Sequence, residues 1–358
     1  MGRARATTAV VVNHQGRACL FDCLEALLAS EPAPAEVIVV DSGSTDGAPQ
    51  LVREKYPAVR VIELGANLGP AAARNRGLRE ARHERVLTVD NDVVVQRGTL
   101  AALTGALDSH PRAAAVQSRS LVAHDRSRIH YDGGGFHYTG VLVLRNFFGV
   151  LAETRPTPGG SAHVDAIVAL CVLQDRTRVL AVGGYDEVMS ILFEDNDLSY
   201  RLRASGEELL VCELEPCLHG SGTAGTSFRG GGYPARRVFL HTRNRRMFLL
   251  ANLRARTLLL AAPGLLVYEA FWFAFAVSRG RFGSWCAGTW AFVRTLPHVL
   301  ARRRALAARR SVGDRELLQG GPLTLSPQLA ATGRAPFGAR LLDALLRGWW
   351  SLVRGLVR

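Results

Sequence analysis

"RVLTVDNDVVV" (Arg85–Val95) sets an apolar, β-branched run directly before two aspartates separated by one asparagine, with three valines behind them. Such a run reads as a strand covered on both faces. Burying Asp90 and Asp92 at its end is costly unless the charge is paired or bound to a metal. Carboxylates one residue apart at a strand tip suit Mg2+ or Mn2+, which take a few carboxylate oxygens and complete their shells with phosphate and water. The plainer alternative is an Asx turn that ends the strand.

Working outward, similar runs occur at "TAVVV" (8–12), "EVIVV" (36–40) and "VRVIEL" (59–64), with helical patterns near 18–30, 46–56, 70–82 and 98–109. Apolar strands alternating with helices predict an α/β fold whose mostly parallel sheet is flanked by helices, a Rossmann-like plan in which ligands bind beyond the carboxyl ends of the strands. Polar residues stand at those ends: Asn13, Asp41, Asn67, Asp90 and Asp92. Asp41, in "EVIVVDSGSTDG", is placed to accept a pyrimidine ring N–H or ribose hydroxyls, with Gly43 allowing a tight turn, while Asp46 reads as the N-cap of the next helix. In "NLGPAAARNRG" (67–77) Gly69 takes the cap position and Pro70 opens a helix, whose N–H groups together with Arg74 form a place for phosphate. An ordinary capped helix with a solvent-facing arginine explains the same residues.

Further along, the chain is irregular and Gly-rich over 132–140 and 154–165, then apolar in "AIVALCVL" (166–173). "FEDNDLSYRLRASG" (193–206) sets Glu194, Asp195 and Asp197 in the first turn of a helix. Acids there complement the helix dipole. Leu198 and Leu202 mark an inward face, however, and an acid lining a cleft on that side is a candidate general base toward an incoming hydroxyl. A strand "ELLVC" and a loop over 215–232 follow, and His219 in that loop is either a solvated side chain or a metal ligand.

Sixteen Arg and no Lys against four acids give residues 251–358 a net +12 of the chain's +13, so the rest is near neutral. That partition argues against nucleic-acid binding by the folded first part. The turn "NHQGRA" also lacks the glycine fingerprint of dinucleotide enzymes. A basic helix over 236–256 leads into two apolar runs, Thr257–Val277 and Phe282–Leu300. The first is long enough to span a bilayer, but Pro263, Gly264 and Glu269 interrupt it, and arginines flank every end, against the positive-inside tendency. The expectation is helices lying in, or dipping into, the cytoplasmic face of the cell membrane, with Arg at anionic head groups and Trp272, Trp285 and Trp290 at the interface. A first strand with no signal-peptide pattern before it, and six cysteines without a CxxC pair, fit a cytoplasmic chain with reduced thiols.

In this order, "VVVNHQG", "EVIVVDSGSTDG", "NLGPAAARNRG", "LTVDNDVVV", "VGGYDE", "FEDNDLSYRLRASG" and "HGSGTAGTS" resemble the inverting family 2 glycosyltransferases of GT-A fold. The remainder, including "LLQGGPLTL", resembles the helical membrane-associating extension of bacterial, rhamnosyltransferase-like members. The resemblance implies a GT-A domain over 1–250 and the extension over 251–358. It assigns nucleotide binding to Asn13, Asp41, Asn67, Gly69, Arg74 and Asp90, and a divalent cation, Mg2+ or Mn2+, to Asp92 with His219 and Asp90. Asp195 matches the catalytic base and Glu194 its support. The implied reaction is metal-dependent, inverting transfer of a sugar from a UDP- or dTDP-sugar to a hydroxyl of a lipid-linked or cell-surface glycan. Transfer to polyprenyl phosphate and a non-catalytic membrane scaffold of the same fold are the alternatives. His14 and Pro70 stand where the family often has an aromatic residue. Ala169 and Leu170 replace a common Gly-Ala, a bulkier lining for the donor sugar.

Overall fold

The computed structural model describes residues 6–220, 233–324 and 335–358. The chain divides into two compact units, Met1–Gly133, Arg145–Leu202 and Glu207–Gly222 in one and Gly134–Leu144, Arg203–Gly206 and Thr223–Arg358 in the other.

In the first unit, β1 (Thr7–Asn13), β2 (Glu36–Asp41), β3 (Arg60–Glu63) and β4 (Arg85–Asp90) pair in parallel in the order β3-β2-β1-β4. Between them run α1 (Leu20–Leu28), α2 (Ala48–Lys55) and α3 (Pro70–Glu80). Ala9 and Val11 face a core with Leu20 and Leu24 of α1, whereas Val10 and Val12 face a second core with Ala71 and Leu78 of α3. Alternate side chains of one strand thus enter opposite layers, which is why the runs are apolar at every position. Register sets the tips level: Asn13 pairs with Asp41, and Val12 with Asp90.

Beyond β4 the sheet becomes mixed. After β5 (Val93–Val94) and α4 (Thr99–Ser109) come β6 (Ala113–Val122) and β7 (Asp125–Tyr131). Strands β8 (Gly134–His137) and β9 (Leu142–Leu144) belong to the second unit. The first unit resumes with β10 (Ser161–Val164), β11 (Cys171–Asp175), α5 (Arg176–Ala181), α6 (Glu194–Ala204) and β12 (Glu208–His219). The order continues β4-β11-β6-β12-β10, with β11 antiparallel to both neighbours and β12 parallel to β6. β12 outruns the expected "ELLVC" because pairing resumes after a register shift between Cys212 and Cys217. Of the loop expected over 215–232, residues from 221 onward lie outside the described residues, as does Leu325 of "LLQGGPLTL". Gly47, at φ 78°, is the N-cap of α2, and Asp46 sits one residue earlier than expected, accepting from the Ala48 N–H at 3.0 Å and the Arg17 N–H at 2.9 Å.

The second unit holds α7 (Ala235–Asn252), α8 (Ala255–Ser278), α9 (Phe282–Arg294), α10 (Leu296–Ala307), α11 (Asp314–Leu317) and α12 (Ala335–Val353), with β13 (Leu318–Gln319) joining β8 and β9 in a small sheet. The expected helix over 236–256 breaks at the extended Leu253. α8 is the one described helix long and apolar enough to cross a membrane by length and composition. Its single acid, Glu269, is paired with Arg245 and Arg246 of α7. Trp272 is not at an interface: it is 9% exposed, and its indole N–H donates to Thr242 at 2.9 Å. Trp290, by contrast, is 64% exposed. Leu259, Leu266 and Val277 of α8 and Phe337, Leu341, Leu345 and Leu352 of α12 also face outward.

Gly77 is where α3 presses closest to β1, since a Cβ there would stand 2.2 Å from a Val10 methyl. We expect Gly77→Val to destabilise the first unit by about 1–3 kcal/mol through overpacking, read as a lower urea midpoint. A midpoint unchanged from wild type would contradict this packing.

Candidate active site

At the level of the strand tips, Asp41 is fully buried. Its Oδ1 accepts from Asn13 Nδ2 at 2.7 Å and Ser44 Oγ at 2.6 Å, and its Oδ2 accepts from the Ser44 N–H at 2.8 Å. This carboxylate holds the turn after β2. Asn13 in turn accepts, through Oδ1, from Asn91 Nδ2 at 2.7 Å. Asn91, the residue between the two aspartates, was not singled out in the sequence. Gly16 makes room for that bond, because a Cβ there would lie 1.9 Å from Asn91 Nδ2.

Arg74 does not face solvent, and it does not sit open to a phosphate. It is 3% exposed. Its guanidinium donates to Asp90 Oδ1 at 2.7 Å and to Glu194 Oε1 at 3.1 Å, joining the tip of β4 to the start of α6. Burial alone would lower its pKa, but the Asp90 and Glu194 charges, with Tyr185, raise it. Two N–H groups at the start of α3 are engaged within the chain: Gly69 donates to Asn67 Oδ1 at 3.1 Å and Ala71 to the Ser190 carbonyl at 3.1 Å.

Of the three acids opening α6, the structure separates the roles. Asp197 is fully buried and ion-paired at 2.7 Å with Arg201, which also donates to the Val182 and Gly184 carbonyls at 2.6 Å each; it fastens the "VGGYDE" turn. Glu194 is pushed up to about 8, by burial first and by the Asp195 charge second, against the pull of Arg74. Asp195 is also raised by burial, with Arg74 and the backbone N–H groups of Asn196 and Ala169 opposing. The Leu170 carbonyl accepts from the Asp90 N–H at 2.8 Å, and the Asn196 N–H donates to Asp195 Oδ1 at 2.8 Å.

On the other side of Asp90, β5 pairs antiparallel with the end of β12, His219 opposite Val93. The Gly220 N–H donates to the Asp92 carbonyl at 2.9 Å, and His219 Nε2 stands 3.4 Å from Asp92 Oδ1. Burial lowers the His219 pKa, but the hydrogen bond and charge of Asp92, then Asp90, outweigh it and raise the net value. Among the described residues, no group of three or more His, Cys, Asp or Glu side chains converges to cage a metal. Asp90, expected as a third ligand, gives Oδ1 to Arg74 instead. Asp92 and His219 remain as a facing oxygen and nitrogen, a donor set that fits a cation completed by diphosphate and water.

Residues 8–157 match the family model described as "Glycosyl transferase family 2". The chain is 28% identical over 206 residues to an N-acetylglucosaminyl-diphospho-decaprenol L-rhamnosyltransferase of Mycobacterium tuberculosis, covering 51% of this chain and 66% of that protein. It is 34% identical over 119 residues to the succinoglycan biosynthesis protein ExoO of Rhizobium meliloti, covering 33% of this chain and 34% of that protein. The aligned parts thus fall short of two thirds of either relative. In fold, it is similar to GalNAc-T7 solved with UDP, GalNAc and Mn2+ (TM-score 0.52, 16% identity, 69% of this chain and 50% of that one). It is also similar to S. aureus TarS (TM-score 0.52, 15% identity, 96% and 54%). The architecture is the GT-A fold, with a helical region following it.

Glu194 yields a pH test. Its folded value of about 8 lies above the ordinary 4.5, so between those pH values the native state holds a proton that the unfolded chain has lost. Stability contributed by that proton is present below the ordinary value and lost as pH rises toward the folded one. We expect urea midpoints measured in EDTA to fall across this window for the wild type, and the fall to be shallower in Glu194→Gln. Parallel curves would contradict the assignment.

Proposed function

Because residues 8–157 are a family 2 glycosyltransferase domain, we propose that this chain catalyses metal-dependent, inverting transfer of a sugar from a UDP- or dTDP-sugar to a hydroxyl of a lipid-linked glycan. The observation that carries the reading is the Arg74 guanidinium, bonded at once to Asp90 and Glu194, which ties the strand bearing Asp90 and Asp92 to the helix turn bearing Asp195. An acid and a pair of cation donors connected so closely have the two functions a single displacement needs. The rhamnosyltransferase relative, named for a diphospho-decaprenol acceptor, supports a lipid-linked acceptor here.

In this reading Asn13 and Asp41 frame the base pocket, with Asn67 and Gly69 at the adjoining turn. Asp92 and His219 would hold the cation, which when bound neutralises charge on the departing diphosphate. Arg74 neutralises Asp90 and hydrogen-bonds to Glu194, so the donor's phosphates do not meet a purely negative wall. Glu194, holding its proton, spares the pair a second negative charge, and the Asn196 N–H donates to the Asp195 carboxylate at 2.8 Å. Asp195 takes the proton from the acceptor hydroxyl as the oxygen attacks the anomeric carbon from the face opposite the leaving group. Configuration inverts in one step, without a covalent sugar-enzyme intermediate.

The exposed apolar side chains of α8 and α12, in a segment of net charge +12, suit the surface of an anionic membrane. The chain would then work at the cytoplasmic face, where lipid-linked acceptors present their saccharides.

Two measurements test the proposal. A transfer assay with a panel of nucleotide sugars and Mn2+, offering a lipid-linked saccharide or polyprenyl phosphate, should give product with the saccharide; Asp195→Asn should retain Mn2+-dependent nucleotide binding while transfer drops about 10²–10⁴-fold. Transfer at the wild-type rate would reject the base. For the membrane, replacing Leu259, Leu266, Leu345 and Leu352 with Gln should cut co-sedimentation with phosphatidylglycerol vesicles at least tenfold, since each leucine gives up ~1.5 kcal/mol or more of burial. Undiminished sedimentation would place the contact elsewhere.

A further inference from the structure

One buried side chain beside the site is not used by the reaction. His130 lies on β7, 4% exposed, where the pairing of β7 with β6 slips: Ser120 pairs with Tyr131 and Leu121 with Ile129, leaving His130 as the extra residue. A bulge of this kind breaks the alternation of faces and re-aims a side chain, and here Ile129 and His130 are buried in succession. The His130 ring lies 4.7 Å from the His219 ring and within 24° of its plane, with Tyr131 at 4.2 Å and Phe148 edge-on at 5.3 Å. The Nδ1 atoms of the two histidines are 2.8 Å apart.

That distance is a hydrogen bond, and a hydrogen bond between two ring nitrogens needs one N–H and one lone pair. With both rings neutral, two arrangements satisfy it. In the first, His130 donates, the His219 Nδ1 lone pair accepts, and His219 carries its proton on Nε2, pointed at Asp92. In the second, His219 donates from Nδ1, His130 accepts, and the His219 Nε2 lone pair faces Asp92. Without a cation, the second sets a lone pair against a carboxylate at 3.4 Å, and the first is preferred. A cation between them needs the second, because only a lone pair can coordinate it.

We propose that His130 is the positioning residue of His219: its Nδ1 accepts the His219 Nδ1–H, and this bond fixes the ring orientation and tautomer that present His219 Nε2 to a divalent cation beside Asp92. The proposal rests on the metal-dependent reading above. Partners that hold the far nitrogen of a ligating histidine typically contribute 10–100-fold in metal affinity. β7 has no sequence motif in the resemblance, and the residue reaches the site through a one-residue slip in pairing.

The test uses the full chain and Mn2+ itself, titrated by electron paramagnetic resonance with and without UDP. His130→Phe keeps a stacking ring and removes the acceptor; His130→Asn keeps an acceptor near the Nδ1 position and removes the ring. The expected result is a ten- to hundredfold weaker Mn2+ affinity in His130→Phe, with His130→Asn within about threefold of wild type. Equal losses in both variants, or affinity in His130→Phe within threefold of wild type, would make His130 a packing residue and overturn the proposal. Wild-type protein that binds no Mn2+ in either condition would remove the metal reading itself, and the proposal with it; only a difference between the variants bears on His130 alone. A readout on the unmodified chain guards against a variant that fails to fold: on adding diamagnetic Mg2+, the shared imidazole proton in a 15N-histidine spectrum should couple to Nδ1 of His219. Coupling to Nδ1 of His130 in the Mg2+-loaded protein would reverse the donor and refute the inference.

Discussion

The buried Arg74 guanidinium, held between Asp90 and Glu194, fastens the aspartate strand to the helix that carries Glu194 and Asp195. Three ionisable groups share a space largely closed to water, and each is tolerable there because of the others. Desolvation is not fully offset: Glu194 takes up a proton well above the ordinary carboxylate range. The electrostatic character of the site thus follows from one side chain of α3 pointing inward, on a helix whose small residues, Ala71 to Ala73 and Gly77, let it lie close to the sheet.

Around that contact the backbone does most of the placing. Parallel register levels Asn13 with Asp41 and brings Asp90 alongside. The Leu170 carbonyl accepts from the Asp90 N–H, and the side chains of Ala169 and Leu170 pack into the two cores on opposite faces of the sheet.

The parts of this arrangement legible in the sequence are those with local causes. β1, β2, β3 and β4 announce themselves because both their faces are buried, and the polar residues ending them stand out against the apolar runs. β6 escapes the same criterion: it is buried throughout, yet includes Gln117, Ser118, Arg119 and Ser120, whose polarity is satisfied by distant partners such as Asp132, 2.9 Å from Arg119. Arg74 was legible as a site residue but not in its orientation, because Asp90 and Glu194 are separated from it by 16 and 120 positions. Asn91 and His130 carried no signal, one hidden inside a motif read for its carboxylates and the other moved by a pairing slip. In the second unit, an apolar composition alone could not distinguish Trp272, which has an internal hydrogen bond, from Trp290, which has the outer surface.

His219 owes its place to strand geometry, and that has a consequence for how the chain can change over time. It ends a twelve-residue strand, and its approach to Asp92 depends on being opposite Val93. Since side chains alternate faces along a strand, losing or gaining one residue between Cys217 and His219 would turn the imidazole to the far side of the sheet while leaving every amino acid type intact. The length of β12 after the shift is therefore a fixed ruler for the site, closed to insertion whatever residues descendants of this sequence place along it.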